Sequence, residues 1–172
     1  WTRFKQNRYE AALHAYTQLL DETIGDHDSA ALPSGLSRAE QERLDDTLRA
    51  VSLSFSYLGA NSEIRDYFRR HGKRSYESLL YAKLAALHLS KERFTDAAET
   101  YSLFADVHPQ HREAPLFQSR VIDVYKQAGF SEPEHGAWLK SVQDRASQRQ
   151  PEPMYLLSQL YREGLGVQRD DN

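Results

Sequence analysis

The sequence predicts an all-α fold in which helices pack in pairs. Apolar residues recur at three- and four-residue spacing along most of the 172 residues, whereas the alternation typical of β-strands is nearly absent. Three segments also share one pattern, since each ends a helix in a polar turn and then presents an aromatic residue, namely Tyr9, Phe94 or Phe130. Phe94 and Phe130 are 36 positions apart, and a period of this length is typical of helical repeat arrays.

The N-terminal part predicts three helices. The first is expected within residues 8–22, and residues 23–37, rich in Gly, Asp, Ser and Pro, predict a loop. Ser37 and Glu40 have the spacing of a capping box, which indicates a second helix that continues to Gly59. A shorter third helix is expected over residues 61–72. The predicted apolar face of the first helix consists of Tyr9, Ala12, Leu13, Tyr16, Leu19 and Leu20.

The remaining chain predicts further helix pairs. Residues 76–109 contain two amphipathic helices with a polar break between them, and Pro109 terminates the second. Residues 113–130 predict another helix, which is followed by one over residues 135–148. A last helix is expected over residues 154–164, after a segment containing two prolines.

Residues 77–110 resemble the tetratricopeptide repeat, a helix–turn–helix unit of about 34 residues. Tyr81 stands where that family favours tryptophan, and His88 departs from its usual tyrosine. The residues that match the family's Leu-Gly pair, its second helix and its terminating proline are Leu84, Ala85, Phe94, Ala97, Tyr101, Phe104 and Pro109.

The C-terminal residues resemble the related Sel-one-like repeat, through Leu157, Tyr161, Gly164, Gly166, Val167 and Asp170. The two resemblances imply a single repeat domain over residues 1–172, folded as a right-handed superhelical solenoid of antiparallel helix pairs. We expect the chain to be a segment of a longer solenoid. Its expected units are a partial repeat (1–22), a loop (23–37), a divergent helix pair (38–74), the best tetratricopeptide repeat (76–110), a third helix pair (113–150) and a partial Sel-one-like repeat (152–172).

Composition argues against several classes of protein. The net charge of −3 and the lack of a long basic block argue against a nucleic-acid partner. The densest basic cluster, residues 68–74, is expected to be a solvated helix end in which cations face the C-terminal dipole. No apolar run approaches the roughly 18 residues that a membrane span needs. The sequence has no cysteine, which removes disulfides, thiolate metal sites and cysteine nucleophiles.

No constellation for catalysis, metal binding or cofactor binding is found. The loop segment 26–28 (Asp-His-Asp) is expected to be solvated, and His108 and His111 flank a proline turn with a spacing that makes a poor chelate. His88 lies on an apolar helix face and is expected to be a packed, hydrogen-bonded histidine. Asp45 and Asp46 are adjacent on a helix, so they point apart and form no acid–base pair. We therefore expect a protein without enzymatic activity.

The resemblance implies that the first helix of each pair lines a concave, partner-binding groove. The groove residues expected on two such helices are Leu79, Ala82, Ala86 and Leu89, and then Gln118, Ile122 and Tyr125. Two interpretations remain open, since this apolar stripe either packs within the fold or accepts a partner's helix or peptide. Ala82 and Ala86 occupy positions where some family members clamp a C-terminal carboxylate, so no such clamp is expected. Leu89→Asp is expected to weaken partner binding without unfolding the chain.

The function implied is a non-enzymatic scaffold that binds a protein or peptide. Residues 101–117 resemble repeats of bacterial envelope proteins, which suggests a periplasmic or outer-membrane-associated complex, with a cytoplasmic location as the alternative. Two other functions stay open: an accessory domain of a larger enzyme, and a self-association module that acts through the truncated ends.

Overall fold

A computed structural model describes residues 8–25, 35–59 and 61–129. These residues form six helices and contain no strand, which confirms an all-α protein for this part of the chain. The helices predicted at residues 135–148 and 154–164, the Sel-one-like match and the 26–28 segment lie outside the described residues. The helices are α1 (Tyr9–Ile24), α2 (Arg38–Leu58), α3 (Asn61–His71), α4 (Glu77–Leu89), α5 (Phe94–Val107) and α6 (Ala114–Ala128).

The helix ends follow the local signals in the sequence. At the start of α2 the Ser37 backbone N–H donates to Glu40 Oε2 at 2.8 Å, and the Ser37 hydroxyl accepts from the Glu40 N–H, so the predicted capping box is confirmed. The Ser37 hydroxyl also donates to Glu40 Oε2, and this bond together with that from the Ser37 backbone N–H lowers the pKa of the Glu40 carboxyl. Gly59 and Gly129 end α2 and α6 with φ angles of 138° and 68°, which L side chains rarely adopt.

Replacing Ser37 with alanine is expected to lower the free energy of unfolding by about 1 kcal/mol, because the cap acceptor for a free N–H of α2 is lost. Urea denaturation followed by circular dichroism measures this change. Ser37→Thr is the matched control, since threonine also accepts at an N-cap, keeps a hydroxyl that can donate to Glu40 Oε2, and should keep most of the stability. Equal losses in both variants would contradict the capping role.

The buried face of α1 differs from the predicted one. Ala12, Leu13 and Leu20 are buried as expected, but Leu19 is 45% exposed, so its assignment to the buried face was wrong. Thr17 and Ile24 take part in the buried face instead. Thr17 is accommodated because its hydroxyl donates to the Leu13 carbonyl and also contacts the Tyr67 hydroxyl at 2.7 Å.

Helices α2 and α5 make most of the contacts between helices. Helix α2 packs against α1 and α4, and it contacts α3 less extensively. Helix α5 packs against α4 and α6 and also contacts α3. One continuous core joins these contacts, and its largest fully buried side chains include Tyr76, Tyr81, Phe55, Phe104 and Phe117.

A polar network fixes the start of α4 against α1. The Tyr76 hydroxyl donates to Asp21 Oδ1 and to the Thr17 carbonyl, and Arg74 Nε pairs with the same Asp21 oxygen at 2.8 Å. Ser75 Oγ donates to the Gly25 carbonyl at 2.9 Å. Because these partners are more than 49 residues apart in sequence, the network sets the position of the α3–α4 connection by tertiary contacts.

Candidate functional site

The four predicted groove residues on α4 lie on the partly open side of that helix, and we call them the α4 face. Ala86 is exposed, whereas Leu79, Ala82 and Leu89 are half-buried and pack against the core. Since these three side chains already contact the core, each offers a partner only part of its surface. Leu89→Asp would therefore also disturb packing, and Ala86 is the cleaner position for testing the face.

The α4 face continues toward α2 through a charged pair. Lys83 is exposed between Leu79 and Ala86 at helical spacing. Its Nζ lies 2.8 Å from Asp45 Oδ1 of α2, and both side chains are about half exposed. An exposed pair of this kind contributes little stability. It does place one cation and one anion beside the apolar residues of α4.

The three predicted groove residues on α6 are less accessible. Gln118 and Ile122 are only 5% and 6% exposed, and Tyr125 is half-buried against the core. Gln118 Oε1 has no hydrogen-bond partner among the described residues. The α6 residues thus offer little side-chain surface, and one groove shared by α4 and α6 stays a prediction.

A cavity of 540 Å³ lies against α1 and α2 and was not predicted from the sequence. The sequence predicts that Tyr16 lies on the apolar face of α1, and its hydroxyl is buried without a hydrogen-bond partner among the described residues. Burial raises the pKa of Tyr16, so this hydroxyl stays protonated at neutral pH. No sequence motif marks the lining residues, which are Tyr16, Asp46, Thr47, Arg49, Ala50 and Leu53.

A smaller polar cleft of 270 Å³ lies where α4 begins and α5 ends. The buried Glu77 carboxylate accepts the Arg74 backbone N–H at 2.7 Å and lies 2.9 Å from His108 Nε2. His111 lines the same cleft, and its Nδ1 accepts the Glu113 N–H at 3.2 Å. Each histidine thus has a ring nitrogen engaged by the protein, and the described residues contain no group of three side chains suited to a metal ion.

The cleft also contains a serine beside the Glu77–His108 pair. Ser78 is 2% exposed, but its hydroxyl makes no hydrogen bond within the described residues. Nucleophilic catalysis by serine requires a hydroxyl within hydrogen-bond reach of its base. Within the described part of the cleft, His108 therefore contacts Glu77, and no serine hydroxyl is hydrogen-bonded to His108.

The basic cluster at the end of α3 is largely neutralised within the protein. Arg69 and Arg70 lie in the last turn of α3, as expected for cations near a helix C-terminus. Arg70 pairs with Glu63 at 2.6 Å, Arg69 pairs with Asp66, and Arg74 pairs with Asp21. Phosphate binding would have to compete with these carboxylates, so the pairs favour the structural interpretation.

Comparisons with protein-family models, with curated proteins and with solved structures found no match to this chain. Among the described residues, no helix has both the length and the apolar character needed to cross a membrane. The resemblance to tetratricopeptide and Sel-one-like repeats therefore depends on the sequence pattern alone.

Proposed function

We propose that this chain is a non-enzymatic scaffold that binds a short helix or peptide of a protein partner on its α4 face. The observation that carries the proposal is the composition and exposure of that face. Ala86 leaves an open position between the half-buried Leu79 and Leu89, and Lys83 and Asp45 border it with both signs of charge. A partner helix with apolar residues at every third or fourth position and mixed charges at its edges fits this surface.

The order of helix contacts supports a solenoid of helix pairs as the frame for this surface. Contacts of α2 with α4, and of α3 with α5, join the predicted pair 38–74 to the predicted pair 76–110, as stacked repeats require. The right-handed superhelix, the Sel-one-like end and a place in a bacterial envelope complex are parts of the proposal that depend on the sequence resemblance. No carboxylate clamp is included, because Ala82 and Ala86 lack the side chains that it would need.

Ala86→Glu is expected to weaken binding of a selected peptide at least about tenfold, which corresponds to about 1.4 kcal/mol. The new carboxylate would lose its hydration beneath an apolar peptide side chain. The fold should persist, because Ala86 is exposed and the difference in helix propensity is a few tenths of a kcal/mol. Selection of a random peptide library on the whole chain, followed by calorimetric titration of the enriched peptide, measures the change.

Thr95→Glu on α5 is the matched control, because Thr95 is also exposed but lies on another helix. This variant should bind the same peptide with unchanged affinity. If Ala86→Glu binds as tightly as the wild type, the α4 face is not the binding surface. If no peptide is enriched, light scattering tests self-association, which would appear as a mass that rises with protein concentration.

A further inference from the structure

The end of the α4–α5 hairpin contains a histidine that the proposed function does not use. His88 lies in the last turn of α4 and is fully buried, with 0% exposure. It is packed as the sequence predicts, but neither ring nitrogen has a hydrogen-bond partner among the described residues. Buried polar atoms normally have a partner, so this ring lies in a site that suits its neutral form poorly and its cationic form worse.

The backbone of His88 also holds the turn between the two helices. Its carbonyl oxygen accepts the Lys91 and Arg93 N–H groups at 3.0 and 2.9 Å. Glu92, between them, has a φ of 57°, in the left-handed region that a side chain other than glycine adopts at some cost. The residue that carries the buried ring therefore also accepts the backbone bonds that hold a strained turn.

The charged groups around His88 give an imidazolium little support. Burial lowers the pKa of His88, Arg93 and Lys91 lower it further, and Asp96 raises it. The Asp96 carboxylate is already paired with Arg93 at 2.7 Å. All three groups belong to the turn and the start of α5, and no charged group of α2, which also packs against α4, acts on His88 within the described residues.

We infer that the α4–α5 hairpin opens at its His88 end in mild acid, when the open state binds a proton on His88. A fall in pH favours the open state, because the closed state excludes a proton that the open state accepts. The closed hairpin is favoured above the ordinary histidine pKa of about 6.5 and loses stability as the pH falls below it. At the opposite end of the hairpin, in contrast, His108 Nε2 has a partner, since it lies 2.9 Å from Glu77 Oε2.

Hydrogen exchange on the whole chain tests this inference. After correction for the intrinsic effect of pH, exchange of amides in residues 86–97 should rise about tenfold between pH 7.5 and pH 5.5. Amides of α1 and α2 should change less than twofold. His88→Leu should abolish the rise, and His14→Leu, which removes an exposed histidine of α1, should preserve it.

A second measurement does not depend on a variant that must fold. The ring carbon signal of His88 in the wild-type chain should retain its neutral chemical shift at pH 6, below the ordinary histidine pKa of about 6.5. A protonated His88 in the closed state at pH 6 would overturn the inference. A rise in exchange that is equal in all helices, or that persists in His88→Leu, would overturn it as well.

Discussion

Replacement of Phe104 by alanine is expected to lower the free energy of unfolding by about 3–5 kcal/mol. Phe104 is 1% exposed, and its ring lies against four others. The ring of Phe117 on α6 is the nearest, at 4.2 Å between centroids, and that of Tyr81 on α4 lies at 5.3 Å. Truncation therefore leaves a cavity where α4, α5 and α6 meet. The midpoint and slope of urea denaturation, followed by circular dichroism, measure the loss.

Phe104→Leu is the control for this prediction. Leucine keeps much of the apolar volume, so its cost should be clearly smaller than that of alanine. Leu116→Ala offers a second comparison, because Leu116 on α6 is 47% exposed and its truncation should cost less than about 1 kcal/mol. A cost for Phe104→Ala no larger than that of Leu116→Ala would contradict the packing described for this junction.

Removal of the Tyr76 hydroxyl is expected to destabilise the protein by about 1.5–3 kcal/mol, the range for a hydrogen bond to a charged group. Tyr76 is fully buried and donates to Asp21 and to the Thr17 carbonyl, thereby joining the start of α4 to α1. Burial and the Asp21 carboxylate raise the pKa of Tyr76, so the hydroxyl remains a donor throughout the neutral range. Denaturation of Tyr76→Phe in urea measures the loss.

Tyr81→Phe is the matched control, since it deletes the same atom from another fully buried tyrosine. The Tyr81 hydroxyl has no hydrogen-bond partner among the described residues, and burial raises the pKa of Tyr81. Deletion of an unpaired buried hydroxyl should leave stability unchanged or raise it by up to about 1 kcal/mol. Equal losses in the free energy of unfolding of the two variants would contradict the stabilising role of the Tyr76 hydrogen bonds.

Local sequence pattern could predict only part of the candidate site. The side of α4 that carries Ala86 follows from helical periodicity, and the structure places that residue in solvent. Periodicity could not determine how much of Leu79 or Leu89 the neighbouring helices cover. Nor did it indicate the cavity beside Tyr16, because the described lining joins Tyr16 of α1 to residues of α2 that are distant in sequence.

Local sequence signals were sufficient to predict the helical class of the described residues and most helix boundaries, because caps, glycines and prolines act on the backbone next to them. Ser37 and Gly59 illustrate this. Local signals could not predict that Thr17 is buried while Leu19 is exposed. Nor could they predict that the Tyr76 hydroxyl donates to a carboxylate while the Tyr81 hydroxyl has no partner among the described residues. These outcomes depend on residues far apart in sequence, whose contacts are fixed by helix packing rather than by spacing along the chain.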